Sequence, residues 1–217
     1  MTKIKICGIT NDDDLSAAVK CGADYVGFIV DIPIESHRQI SAKLAKELTS
    51  NTPTSVTTTM VTILEDPKRT LDFFDQINPD ALQIHGSFTL DVVREISDVI
   101  DGKLIVSLDP NAEIANRLEG VADAILCDSQ RERGAGGTGK TNDWDSVREF
   151  REGTKLPVIL AGGLTPQNVS QAINLVDPFA VDVASGVEGS DGLKDHGAIF
   201  EFITNVHKKS RGNDEFA

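Results

Sequence analysis

The sequence predicts an α/β fold: an eightfold parallel β/α barrel formed as a single domain. Three observations carry that expectation. Eight short apolar runs alternate with eight amphipathic stretches across 217 residues, a repeat of about 27 residues. Most of the runs lack strict polar alternation, as strands buried on both faces do. No Gly/Ser linker, composition break or low-complexity tract divides the chain. An open doubly wound sheet satisfies the same alternation. A dinucleotide-binding sheet, however, would carry GxGxxG after its first strand, where CGIT stands. The length and the count of eight favour the closed barrel.

The elements follow in order. KIKIC (3–7) leads into a helix over 11–21, with Thr10 as its cap and Gly22 just past its end. YVGFIV (25–30) is followed by a long loop to Arg38 and a helix over 41–50 capped by Ser41. SVTTTMVTIL (55–64) is the least regular run, because TPTSVTTT is polar enough to be partly loop; a helix over 67–77 follows it. ALQI (81–84) precedes a helix over 89–100, closed by Gly102 at its C′ position. LIVSL (104–108) precedes a helix over 112–118, and AILC (124–127) precedes one over 144–152. PVIL (157–160) precedes a helix over 166–174, where Thr165-Pro166 offers an N-cap and an N1 proline. AVDV (180–183) precedes the last helix, 196–208. Residues 1–208 thus form the domain, and the polar stretch 209–217 reads as a frayed tail.

Lys and Arg number 21 against 34 Asp and Glu, a formal charge of −13. That balance argues against a nucleic-acid partner, because there is no basic surplus to release phosphate counterions. It leaves room for one small anion site, which needs only a few N–H groups and a cation. No apolar run approaches the roughly 18–20 residues of a membrane span, and MTKIKICGIT lacks the apolar core of a signal peptide. The expectation is a cytoplasmic protein, monomer or homodimer, with no membrane partner. The excess acid is expected on outer helices and loops such as NDDD (11–14), EDPKRTLDFFD and the NDEF tail. With few aromatics, this composition fits a protein adapted to high salt. Cys7, Cys21 and Cys127 make neither a disulfide framework nor a metal pair, so no metal site is expected. Cys21 and Cys127 read as packing residues, whereas Cys7 ends the first strand before a glycine and stays open.

In such a barrel the strand carboxyl ends form the active face. They gather Cys7-Gly8, Asp31 with the loop to Arg38, His85-Gly86, Asp109, Asp128, Gly162-Gly163 and Ser185-Gly186. A thiol, a carboxylic acid, an arginine and several glycines suit an anionic, sugar-like ligand. LAGGLTPQNV and VASGVEG repeat a glycine turn between strand and helix in consecutive units, at the loops where barrels commonly bind phosphate. GAGGTGK (134–140) fits GxxxxGK[ST] letter by letter from Gly134 to Thr141. It does not follow its strand directly, because DSQRERG intervenes, so it reads as a lid over the mouth instead of a nucleotide loop.

KICGIT, GADYVGFIV, LQIHG, GAGGTGKTNDW, LAGGLTPQNV and PFAVDVASGVEGSDGLKDH together resemble phosphoribosylanthranilate isomerase of tryptophan biosynthesis. The resemblance runs from residue 3 to about 200 and implies the barrel and a cofactor-free Amadori rearrangement of a phosphorylated small molecule. It implies Cys7 as general base, Asp128 as general acid and Arg38 as the holder of the anthranilate carboxylate. Gln83 and His85 correspond to a polar pair on the substrate side, with His85 donating a hydrogen bond. Gly137, Gly162, Gly163, Ser185 and Gly186 complete the substrate-binding set. A thiol of ordinary pKa near 8.5 needs nearby positive charge or N–H donors to act as base at pH 7. A carboxyl acting as acid needs burial or substrate charge to hold its proton. An anionic ligand would meet Arg38, helix ends and Lys5. The chain departs from the family pattern at DIPIESHRQIS, where Asp31 stands near the mouth, and in the polar strand TTTMVTIL. The competing expectations are another sugar-phosphate isomerase or epimerase, and a non-catalytic phospholigand-binding barrel.

Overall fold

A computed structural model describes residues 1–110, 114–128 and 143–212. Eight parallel strands pair in chain order and β8 closes on β1, a TIM barrel. The strands are β1 (Lys3–Cys7), β2 (Tyr25–Ile29), β3 (Thr57–Ile63), β4 (Ala81–His85), β5 (Lys103–Leu108), β6 (Ala124–Asp128), β7 (Val158–Ala161) and β8 (Ala180–Val183). The helices are α1 (Asp12–Cys21), α2 (Ala42–Asn51), α3 (Pro67–Ile77), α4 (Leu90–Val99), α5 (Trp144–Gly153), α6 (Val169–Val176) and α7 (His196–Gly212). All eight expected strands are present, β3 beginning only at Thr57, past the polar TPTS. The last helix continues to Gly212, and residues 213–217 lie outside the described residues.

The period of two along each strand sorts side chains between two cores. Ile4, Ile6, Val26, Phe28, Leu82, Ile84 and Val106 join the large cluster between sheet and helices. Ala81, Ile105, Leu126, Ile159, Ala161 and Ala180 form a smaller one. On β1 the alternate residues, Lys5 and Cys7, are buried as well, so this short strand carries its chemistry on one face and its packing on the other.

Helix ends show how local polar groups set the frame. Asn11, one residue after the expected Thr10, caps α1: its side-chain oxygen accepts from Asp14 N at 2.8 Å. Asp14 is therefore buried, in contrast to the outward position expected for NDDD; its carboxylate holds Asn11 Nδ2 and lies 2.9 Å from His196 Nε2. Ser41 caps α2 and Gly22 closes α1 in the left-handed conformation, φ 101°, as expected. Gly102 does not cap α4, which ends in extended Ile100. A Cβ there would stand 2.9 Å from Phe74 Cζ and 3.0 Å from Asp80 O, so the glycine makes room for close packing.

Two helices differ from expectation. Within the described part of 112–118 there is a single 3₁₀ turn, Ala115–Arg117. Its spacing already buries Ala115 and Leu118, three apart, without a longer helix. The helix expected over 166–174 starts at Val169, because Thr165–Asn168 forms a turn of its own. Asn168 Oδ1 accepts from Thr165 N at 2.8 Å, while its Nδ2 donates to Gly163 O at 2.8 Å. That side chain ties the glycine loop after β7 to the start of α6.

Candidate active site

Parallel strands in a closed barrel bring all their carboxyl ends to one rim. Cys7 ends β1, His85 ends β4 and Asp128 ends β6; Gly162 and Gly163 follow β7, and Ser185 and Gly186 form a 3₁₀ turn after β8. Gly137 lies outside the described residues. Cys7 is in register with Gly27 of β2, and Asp128 with Ala161 of β7. Strands β7 and β8 stand between the two, so thiol and half-buried carboxyl approach the mouth from different sectors.

Cys7 shares its pocket with a buried ion pair. Lys5 Nζ donates to Asp182 Oδ1 at 3.0 Å, and both residues are buried. A Cβ on Gly27 would lie 3.0 Å from Cys7 Sγ and 3.0 Å from Lys5 Nζ, so the missing side chain leaves the slot that holds both heads. Burial alone would push the Lys5 ammonium down; Asp182 and Cys7 beside it hold it above its ordinary value, and it stays charged. Burial pushes the Cys7 thiol up, opposed by the ammonium groups of Lys5 and Lys194 and reinforced by Asp182. Cys127 is fully buried and pushed up to about 12, an inert packing residue. Cys21 is partly buried against the core.

Arg38 lies across Gly8, where a Cβ would stand 2.9 Å from Arg38 Cδ. Gly8 has φ 75°, a conformation open to glycine at little cost. The guanidinium donates to Glu188 through Nε and Nη2, each at 2.7 Å. Lys194 Nζ donates to the same carboxylate at 2.8 Å and to Ala184 O at 2.9 Å. Burial would raise the Glu188 carboxyl, but the hydrogen bonds and charges of Arg38 and Lys194 hold it at about 2.

On β4, Gln83 Nε2 and His85 Nε2 stand 2.7 Å apart. This contact joins the two side chains into one polar pair at the end of β4. In the phosphate-type loops Gly162 and Gly163 adopt φ 90° and 60°. A Cβ on Gly186 would fall 1.8 Å from Leu164 O, so the two loops touch. Asp31, at φ 53°, pairs with Arg69 of α3, which turns its charge toward the helix shell. A separate cleft lined by Met1, Arg151, Lys155, Asp177 and Phe179 opens at the opposite end of the barrel, away from these groups. Among the described residues no helix is long and apolar enough to cross a membrane, and no group of three potential metal ligands gathers.

Asp182, Glu188 and Lys194 are absent from the sequence-derived set, and Lys5 entered it only as a ligand contact. The signal available was a charge inside a buried apolar run: Lys5 in KIKIC and Asp182 in AVDV each call for a partner.

A family model described as N-(5′-phosphoribosyl)anthranilate (PRA) isomerase matches residues 4–205. The chain belongs to the phosphoribosylanthranilate isomerase family. Its relatives of that name include proteins of Natronomonas pharaonis, 45% identical over 94% of this chain and 97% of that one, and Haloferax volcanii, 43% identical over 98% and 96%. Both organisms are halophilic archaea. The crystal structure of phosphoribosyl anthranilate isomerase from Thermotoga maritima superposes with a TM-score of 0.82 at 37% identity, covering 96% of this chain and all of that one. Another structure of the family, at TM-score 0.80 and 35% identity over 96% of this chain and 100% of that one, is a complex with reduced 1-(o-carboxyphenylamino)-1-deoxyribulose 5-phosphate. Family membership displaces the other sugar-phosphate reactions and the non-catalytic barrel.

Proposed function

We propose that Cys7 and Asp128 carry the two proton transfers of the family's reaction. The enzyme is an isomerase of tryptophan biosynthesis that converts N-(5′-phosphoribosyl)anthranilate, an aminoaldose, to 1-(2-carboxyphenylamino)-1-deoxyribulose 5-phosphate, an aminoketose. Asp128 protonates the furanose ring oxygen; the C1–O bond breaks and the nitrogen lone pair forms the Schiff-base cation. Cys7, as thiolate, takes the proton from C2, and the freed electron pair neutralises the cation as an enolamine. That species gains a proton at C1 and loses one from the C2 hydroxyl to give the ketone. Atoms balance and the rearrangement is internally redox-neutral, so it needs no external oxidant or reductant.

The observation that carries the reading is the Lys5 ammonium beside the buried Cys7, a charge that offsets part of the burial holding the thiol above its ordinary value. Arg38 takes the anthranilate carboxylate, and Gln83 and His85 supply polar contacts to the ribose. Gly162, Gly163, Ser185 and Gly186 present N–H groups to the phosphate, with Gly137 completing the set. The enzyme works in the cytoplasm as a monomer or homodimer, with no nucleic-acid or membrane partner. Complementation of a tryptophan auxotroph lacking this isomerase tests the reading, with Cys7→Ala and Asp128→Ala alongside. Wild type restores growth, and each variant loses turnover by orders of magnitude while remaining folded. Near-normal turnover in purified Cys7→Ala rejects the base assignment.

A further inference from the structure

An arginine guanidinium carries five N–H donors in one plane, enough for two carboxylates on different edges. In Arg38 one edge is taken: Nε and Nη2 both donate to Glu188 at 2.7 Å. Planarity turns the remaining edge, Nη1 with the second Nη2 hydrogen, away from Glu188. Glu188 is not a loose surface partner. Its side chain is 7% exposed, Lys194 Nζ reaches it at 2.8 Å from a side chain 1% exposed, and His37 Nε2 stands 3.5 Å away. Backbone contacts hold it too: Glu188 N donates to Ser185 O at 3.1 Å, and Glu188 and Lys194 form an antiparallel bridge. The other end of Arg38 is pinned by its stem on Gly8, next to Cys7.

We propose that Glu188, clamped by Lys194, is a specificity-determining positioning residue: it fixes the Arg38 guanidinium so that the open edge donates two hydrogen bonds to the substrate's ring carboxylate. The inference rests on the reading of Arg38 as the carboxylate holder. Glu188 does not compete with the substrate for Arg38, because the two carboxylates use different edges. A guanidinium released from Glu188 would sample several orientations and would be ordered only when substrate binds, which weakens binding without touching the proton transfers.

The test compares N-(5′-phosphoribosyl)anthranilate with the analogue built on aniline, which lacks the carboxylate, using wild type, Glu188→Gln, Arg38→Ala and the double variant. Glu188→Gln is expected to raise KM about tenfold on the carboxylated substrate, with kcat within about threefold of wild type, and to leave the aniline substrate unchanged. Arg38→Ala shows a larger loss, again confined to the carboxylated substrate, and the double variant is no worse than Arg38→Ala alone. Glu188→Asp keeps the charge while shortening the reach, and gives the same substrate-selective rise in KM should the Gln variant not fold. An equal change on both substrates, or none, in a folded Glu188 variant overturns the proposal while Arg38→Ala keeps its selective loss. If Arg38→Ala itself fails to distinguish the two substrates, the underlying reading of Arg38 falls first.

Discussion

Lys5 Nζ donates to Asp182 Oδ1 at 3.0 Å between side chains only 1% and 9% exposed, joining the first strand of the barrel to the last. The two residues are also in register across the β1–β8 seam. This pair is the electrostatic setting of Cys7, and it can be separated experimentally from the thiol itself.

Lys5→Met removes the cation that opposes burial at Cys7. The thiol, already above its ordinary value, moves further up, and thiolate at neutral pH falls. The pH midpoint of Cys7 alkylation, followed in a Cys21→Ala background, is expected to rise, and turnover at neutral pH to fall at least about tenfold. Stability drops by about 3–5 kcal/mol because Asp182 is left as an uncompensated buried charge. Adding Asp182→Asn should recover much of the stability and none of the activity. Unchanged alkylation in Lys5→Met would show that the ammonium does not act on the thiol.

Acid stability reports on Glu188. Its carboxyl is held at about 2 in the folded protein against an ordinary 4.5, so the carboxylate contributes stability above pH 4.5. That contribution is lost as pH falls from 4.5 through 2. Urea unfolding of wild type and Glu188→Gln should therefore differ by a constant amount above pH 5 and converge below it. A gap that stays constant down to pH 2 contradicts the ion-pair geometry.

Gly186→Ala places a methyl group where Leu164 O is 1.8 Å away, so the loops after β7 and β8 must separate. The expected cost is about 1–3 kcal/mol of stability. Affinity for inorganic phosphate falls at least about tenfold, read by titration calorimetry. Wild-type phosphate affinity in a folded Gly186→Ala protein would remove these loops from the phosphate site.

The net charge of −13 sits with exposed acids such as Asp12, Asp13, Glu65, Asp66, Asp72 and Asp75, whereas Asp182 and Glu188 face the ammonium groups of Lys5 and Lys194, and Asp14 is turned inward to Asn11 and His196. Screening shortens the range of repulsion among the exposed group and leaves the buried pairs largely untouched. Thermal unfolding from low to multimolar KCl should show stability rising steeply with salt. A flat response would detach the acidity from salt adaptation.

The strands were legible because each apolar run is short and bounded, and a strand buried on both faces leaves that mark in one dimension. Cys7 and Asp128 were legible as candidates because a parallel barrel sends every strand end to the same rim. Glu188 was not, because its meaning lies in Arg38, 150 residues earlier, and in Lys194. Asp182 was hidden likewise, 177 residues from Lys5. Asp14 reads locally as one more acid in NDDD, yet a capping asparagine and a distant histidine draw it inward. At Thr165–Asn168 the expected N-cap and N1 proline lie instead in a turn tied by Asn168 to Gly163, and α6 begins only at Val169.

The Lys5–Asp182 seam also orders events in time. Lys5 precedes its partner Asp182 by 177 residues, and Arg38 precedes Glu188 by 150. A growing chain that lacks the eighth strand holds an ammonium without a counter-ion and an arginine without a brace. The strand that closes the ring is thus also the one that brings the Lys5 ammonium its counter-ion.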